Sequence, residues 1–322
     1  MIPESRLQAE LKRTLNETRF AGLGERHQGK VRESYLQKDR RLIVTTDRVS
    51  AFDCIIGTIP FKGQVLNQLA GFWFETTKSL VPNHVLDIPD PNVMVVRECE
   101  QLPLEFIVRG YITGVTKTSA WYNYERGVRD FCGNPLPEGL KKDQKLARPI
   151  LTPTTKHEKH DRPISREKAI AEGLIDAKTF DAAADMCFRL FDAGVKQAAG
   201  RGLLLVDTKY EIGRWNGQLV VSDEIHTPDS SRYWFSDTYE RLFKAGQDQR
   251  KVDKEYVREW LVSQGFRGDG TPPALPDPVR VEAARRYIQA YETITGLEFK
   301  VTDEPVESRI LAALRQKGYF SA

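Results

Sequence analysis

Residues 203–234, LLLVDTKYEIGRWNGQLVVSDEIHTPDSSRYW, constrain the fold more than any other stretch of the chain. Leu204, Val206, Thr208, Tyr210 and Ile212 alternate with Leu205, Asp207, Lys209 and Glu211. A strand sends alternate side chains to opposite faces, so one face is mainly apolar and the other ends in charge. Gly213 to Gly217 supply a turn, and Leu219, Val220 and Val221 run back into Asp223 and Glu224. Turn length decides which residues meet. A two-residue Asn216-Gly217 turn pairs 211 with 222 and points Asp223 away from Glu211. A three-residue Trp215-Asn216-Gly217 loop pairs 211 with 221 and 209 with 223. The second register is expected, because it gathers Lys209, Glu211 and Asp223 on one face. Two carboxylates so close are costly in a plain sheet face, and a divalent cation relieves that cost. A solvated polar face is the plain alternative for any single hairpin. Against it stands Pro228-Asp229-Ser230-Ser231-Arg232, a following turn dense in anion-binding groups.

A chain of 322 residues favours two or three domains and allows a sizeable core. Its 48 basic and 45 acidic residues leave a net charge of +3, which makes no strong electrostatic case for nucleic acid and leaves only local basic clusters. No apolar run approaches a membrane span, and MIPESRLQAELKR lacks the apolar core of a signal peptide. Cys54, Cys99, Cys132 and Cys187 are scattered without paired spacing, which points to a reducing cytoplasm. Neither nucleic acid nor membrane is expected as a partner.

Residues 5–15 read as a helix capped by Ser5, with Leu7, Leu11 and Leu15 on one stripe. Gly24 to Lys30 matches the first seven positions of a P-loop, but Val31 stands where magnesium needs Ser or Thr. Alternation from Val31 to Leu36 is strand-like, so the segment reads as a glycine turn feeding a strand. Carrying Lys30 and Arg32, such a turn can lie over a triphosphate; a basic hairpin turn is the alternative. Residues 41–46, 93–97 and 105–112 read as strands and 64–80 as a helix. Arg109 lies in an otherwise apolar strand and so needs a carboxylate or phosphate partner. His157 and His160 have metal-like spacing, yet no Cys or His cluster accompanies them to make a zinc site. Residues 176–199 form the clearest helix: Asp176 caps it, and Phe180, Ala184, Cys187, Phe191 and Val195 make its buried stripe. Residues 236–322 read as mostly helical, with core stripes and a proline-rich linker.

Several of these motifs together resemble the SAICAR synthetase family of purine biosynthesis, over about residues 20–296. Residues Leu205 to Gly213, LVDTKYEIG, resemble one family signature, and Leu102 to Gly114, LPLEFIVRGYITG, resemble the other. Residues Gly29 to Tyr35, Thr46 to Asp53, Lys62-Gly63, Pro153 to Lys156 and Ser222 to Trp234 are also similar to the family. Asp253-Lys254 and Val257-Arg258 resemble the longer, yeast-type members. The second signature ordinarily closes on Gly-Ser; here Val115 follows Gly114, and Ser119 takes the serine's place.

The resemblance implies an α+β fold: a β-rich N-terminal domain with the glycine loop (1–108), a central α/β domain (109–235) and C-terminal helices (236–322), with ATP in the interdomain cleft. It implies an ATP-dependent ligase that joins L-aspartate to the carboxylated aminoimidazole ribonucleotide (CAIR), giving the succinocarboxamide, ADP and phosphate. In that reading Glu211 and Asp223 bind Mg²⁺, and Lys209 and Asp223 are catalytic. Gly29, Lys30, Arg32, Lys156 and Glu211 serve ATP, while Asp53, Arg109, Ser119, Asp161, Ser231 and Arg232 serve the substrates. ATP, CAIR and L-aspartate are the expected partners, and the chain is expected to be a monomer or homodimer. A small-molecule kinase with the same ATP and Mg²⁺ site is the rival; an RNA-binding module, from another class, is disfavoured by the near-neutral charge.

Overall fold

The computed structural model describes residues 2–52, 54–156, 161–252 and 255–319. Asp53, His157, His160 and Asp253-Lys254 lie outside the described residues. The described part is α+β, as expected, and it forms two compact units, each made of separate stretches of chain.

Met1–Glu75, His84–Glu98 and Val252–Ala322 make the first unit. Its N-terminal part holds α1 (Glu4–Glu10), β1 (Glu25–Gln28), β2 (Arg32–Leu36), β3 (Arg40–Thr45), β4 (Arg48–Ala51), β5 (Cys54–Thr58), α2 (Lys62–Thr77), β6 (Val85–Asp90) and β7 (Val93–Arg97). The chain then enters the second unit, Thr76–Asn83 with Cys99–Lys251. This contains β8 (Glu100–Ile112), α3 (Ala120–Tyr124), β9 (Asp130–Phe131), β10 (Asn134–Pro135), β11 (Gln144–Leu151), β12 (Thr154–Thr155), α4 (Arg166–Ala171), α5 (Ala177–Ala199), β13 (Leu203–Trp215), β14 (Gln218–Ser222), β15 (Ser231–Phe235) and α6 (Ser236–Lys244). Finally α7 (Glu255–Ser263), α8 (Asp277–Thr295) and α9 (Val306–Gln316) return to the first unit. The last stretch therefore folds with the N-terminal sheet and does not stand as a third region.

In the first unit β1-β2-β3-β7-β6 form an antiparallel sheet. Leu42, Val44, Val93 and Val95 from its central strands pack with Tyr35, Leu15, Phe20 and Leu23, and α9 adds Ile310 and Leu314. Helix α1 stops at Glu10, so Leu15 reaches this core from a loop. Pro3 and not Ser5 occupies its N-cap position.

The second unit is built on the sheet β11-β8-β13-β14, with β12 on β8 and β15 on β13. Helix α5 covers one face. Asp176 caps it as expected, accepting from the Thr179 backbone N–H at 2.9 Å. Phe180 meets Phe106 at a ring-centroid distance of 5.6 Å. The buried stripe runs through Gly194, while Val195 is exposed. Only glycine fits at 194: a Cβ there would lie 2.6 Å from Leu205 and 2.7 Å from His226. Among the described residues, no helix is long and apolar enough to cross a membrane.

Candidate active site

The charged face of the second sheet follows from strand register. β8 and β13 run antiparallel with Arg109 opposite Asp207, Ile107 opposite Lys209 and Glu105 opposite Glu211. Directly opposed residues share a face. β15 adds Arg232 opposite Asp207 and Ser231 opposite Thr208. One side of the sheet thus carries Glu105, Arg109, Asp207, Lys209, Glu211 and Arg232.

These side chains form two linked clusters. In the first, Lys209 Nζ donates to Glu105 Oε1 at 2.8 Å and to Glu211 Oε1 at 2.6 Å. The other Glu211 oxygen receives Lys156 Nζ. Lys156 is brought there by β12, whose Thr155 pairs with Leu104 of β8. Burial works against charge on both Lys209 and Glu211, but their partners outweigh it. Glu211, Asp223 and Glu105 hold the Lys209 ammonium well above the lysine range. Lys209 and Lys156 hold the Glu211 carboxyl well below the usual carboxylate range. The sequence placed Lys209 between Glu211 and Asp223; the structure bonds it to Glu211 and to Glu105.

The expected register is corrected. Glu211 pairs with Ser222 and Trp215 with Gln218, so the turn is the two-residue Asn216-Gly217 form. Both turn residues have positive φ, 47° and 79°, as a type I′ turn requires. In a regular strand this register would turn Asp223 away from Glu211. Instead, β14 ends at Ser222 and Asp223 takes a left-handed backbone, φ 62°, which breaks the alternation. Its charge still acts on Lys209. The acids are gathered by a backbone kink and not by loop length.

The second cluster is guanidinium-rich. Arg109, 4% exposed, donates to Asp207 Oδ2 at 3.0 Å, Thr152 Oγ1 at 2.8 Å and the Thr118 carbonyl at 3.0 Å. This satisfies the expected need for a carboxylate partner. Arg232 Nη1 lies 3.1 Å from the same Asp207 oxygen, and its side chain is 28% exposed. Ser231 is buried and donates to Thr208 Oγ1 at 2.7 Å. Gly114, at φ 94°, sits between the cluster and Ser119. A Cβ on Gly114 would come within 2.4 Å of Ser119 Oγ and 2.9 Å of Arg232 Nη1. Ser119 is 2% exposed and Val115 is 64% exposed, so the serine and not the valine faces this cluster.

The remaining expected residues lie elsewhere. Gly29, Lys30 and Arg32 belong to the first unit, at the β1–β2 turn. Asp161 is exposed on the loop after β12, and Asp53 lies outside the described residues. Glu105 and Asp207 were not expected in the site. The signal for Glu105 was present: strand spacing puts it on the same face as Arg109.

Three carboxylates against two ammonium groups leave the first cluster net negative, and its donors are hard oxygens. That fits Mg²⁺, which takes one or two carboxylates and keeps several waters. Among the described residues, no three His, Cys, Asp or Glu side chains are grouped so as to hold a metal ion. An acidic, ammonium-bridged cluster on the same sheet face as a guanidinium pair is the chemistry expected of enzymes that handle phosphate-bearing anionic substrates.

Comparisons narrow the class. The family model for SAICAR synthetase matches residues 25–273. A phosphoribosylaminoimidazole-succinocarboxamide synthase of Legionella pneumophila (strain Lens) is 48% identical over 292 residues, 89% of this chain and 94% of that protein. The chloroplastic enzyme of that name from Arabidopsis thaliana is 46% identical over 306 residues, 92% of this chain and 74% of that protein. The solved SAICAR synthase from Saccharomyces cerevisiae, complexed with SAICAR, aligns with a TM-score of 0.78 at 32% identity, covering 89% of this chain and 100% of that one. The chain belongs to the SAICAR synthetase family. Its reaction is the ATP-dependent ligation of L-aspartate to CAIR in purine biosynthesis, as the sequence motifs implied.

Proposed function

We propose that the charged face of β8, β13 and β15 is the centre of this ligation, with Glu211 and Asp223 as the ligands of Mg²⁺. Carboxylates are poor electrophiles, because attack adds charge to an anion. Transfer of the ATP γ-phosphoryl group to the CAIR carboxylate releases ADP and leaves an acyl phosphate. The aspartate amine then attacks the acyl carbon, phosphate leaves, and the amide forms. Both halves ask for positioning and for positive charge near phosphate oxygens. When bound, the divalent ion would offset several kcal/mol of that developing charge.

The chain's own residues supply the rest. Lys209, bonded to two carboxylates, keeps its proton and acts as a fixed positive charge, not as a base. Lys156 holds Glu211 from its far side and would serve ATP beside the residues that would hold the metal. Arg232, Ser231, Ser119 and Arg109 hold the anionic groups of the ribonucleotide, with Arg232 as the solvent-facing member. We assign Gly29, Lys30 and Arg32 to the ATP phosphates, and Asp53 and Asp161 to the substrates. The S. cerevisiae relative complexed with SAICAR supports a small-molecule substrate of this class. The four free cysteines suit a reducing compartment, and we place the reaction in the cytoplasm, carried out by a monomer or homodimer.

The observation that carries this reading is one ammonium, Lys209, bonded to Glu105 and Glu211 with Asp223 acting on it. The test is ADP release with each substrate omitted in turn, beside Asp223→Asn. Turnover should need ATP, CAIR and aspartate together, and the variant should lose about a hundredfold or more. ADP release without aspartate would indicate a kinase. Full activity in Asp223→Asn would remove the metal assignment.

A further inference from the structure

The β1–β2 turn carries Gly29, Lys30 and Arg32, yet the residue that shapes it comes from β4. Arg48 is 2% exposed and its guanidinium reaches under the turn. Nε donates to the Lys30 carbonyl at 2.9 Å. Nη2 donates to the Gly29 carbonyl at 2.9 Å and to the Arg32 carbonyl at 3.3 Å. Nη1 donates to Glu33 Oε1 at 2.6 Å and to the Asn16 carbonyl. The one turn carbonyl that Arg48 leaves, Val31, is taken by the Thr46 N–H at 3.0 Å and the Thr46 hydroxyl at 2.8 Å. Gly29 N–H closes the turn onto the Arg32 carbonyl at 2.8 Å, and a Cβ at Gly29 would press on that oxygen at 3.2 Å.

Every backbone carbonyl from 29 to 32 is thus engaged within the protein. A carbonyl oxygen turned toward a polyphosphate repels it, whereas amide dipoles and cationic side chains attract it. Holding all four carbonyls inward leaves the exposed Lys30 to meet an anion without that opposition. One planar guanidinium can do this because its donors lie in a fixed fork; a lysine ammonium cannot span the same acceptors. Glu33, fully buried, faces Arg48 with one oxygen and Arg26 with the other.

The geometry points to Arg48 as a positioning residue for nucleotide binding, which presets the 29–32 turn for a triphosphate without touching it. This deepens the reading that the turn binds ATP, and rests on it. The test uses the full chain. Arg48→Lys keeps the charge and removes the fork. Arg48→Met with Glu33→Gln removes the buried pair together, and Arg26, which lies 2.9 Å from Glu33, keeps Glu17 at 3.6 Å as a carboxylate partner. With a cooperative thermal transition retained, both should raise KM for ATP tenfold or more and leave KM for aspartate within about twofold. Loss of affinity should be large for ADP and absent for adenosine, as a phosphate-directed effect requires. Unchanged KM for ATP in either folded variant overturns the proposal. Lys30→Ala separates the two claims: if it leaves KM for ATP unchanged, the ATP reading of the turn fails. If it raises KM while the Arg48 variants do not, only the role of Arg48 fails. In the unaltered protein, the Arg48 Nε–H resonance should be protected from exchange both without and with ATP, and an unprotected one refutes a preset clamp even if no variant folds.

Discussion

Burial pushes the Asp47 carboxyl up to about 6, even though Gly63 N–H at 2.9 Å and Leu15 N–H at 2.8 Å each donate to one of its oxygens. The folded state therefore takes up this proton before the unfolded chain does. Its contribution to stability is full below the ordinary value of 3.8 and is lost as pH rises through about 6. At 1.36 kcal/mol per unit, the difference across that window is about 3 kcal/mol at most. Asp47→Asn should remove this dependence and also turn an amide NH₂ toward one of the two backbone donors. The expected cost at pH 7 is about 1–3 kcal/mol. In urea unfolding, the gap between the native protein and the variant should be wider at pH 5 than at pH 7. An equal gap would mean that Asp47 does not titrate in this window. None of this was visible in the sequence, where Asp47 reads as one polar residue in a turn. Its environment is made by Leu15 and Gly63, which only the fold brings to it. By contrast, the need of Arg109 for an anion was legible, because a charge in an apolar strand has few alternatives. Which anion answered it, Asp207, depended on strand pairing.

At the level of the elements, alternation along 203–212 placed Asp207, Lys209 and Glu211 on one face correctly, since a two-residue period leaves no freedom. The hairpin turn was open, because both loop lengths put Gly217 at positive φ. The two differ at Asn216: the I′ turn demands positive φ there, and the three-residue loop would keep it right-handed. Asn216→Ala should therefore cost about 1 kcal/mol or slightly more, the penalty for a left-handed alanine. An unchanged midpoint in chemical unfolding would argue for the longer loop. The kink at Asp223 had no signature in the sequence, because aspartate tolerates left-handed backbone but does not require it. The expected stripe on α5 erred by one position twice: Ala183 and not Ala184 is buried, and Gly194 and not Val195. Hydrophobicity favours Val195 inward, but the close approach of Leu205 and His226 admits only Gly194.

For the whole molecule, linear reading divided the chain at points where the fold does not. The family model ends at residue 273, and the tail beyond about 296 carried no motif that the sequence could place. The structure gives that tail a structural role. Ile310 and Leu314 of α9 are fully buried in the same core as Leu42, Val44, Val93 and Val95. Arg309 pins the helix to Asp90 at 2.8 Å and to Asn92 Oδ1 at 2.6 Å, beside β7. The first sheet is thus finished by residues more than two hundred positions away, which no local pattern can reveal. Leu314→Ala and Ile310→Ala should each cost about 2–5 kcal/mol, as buried aliphatic truncations do. Gln316→Ala, on the exposed side of the same helix, should stay within about 0.5 kcal/mol. Ending the chain at Glu304 removes both buried residues and Arg309 at once, leaving Asp90, 3% exposed, without that guanidinium. The truncated chain should unfold at lower urea concentration than either single variant. A truncation with native unfolding behaviour would show that α9 only lies on the sheet, and that the hydrophobic core is complete without it.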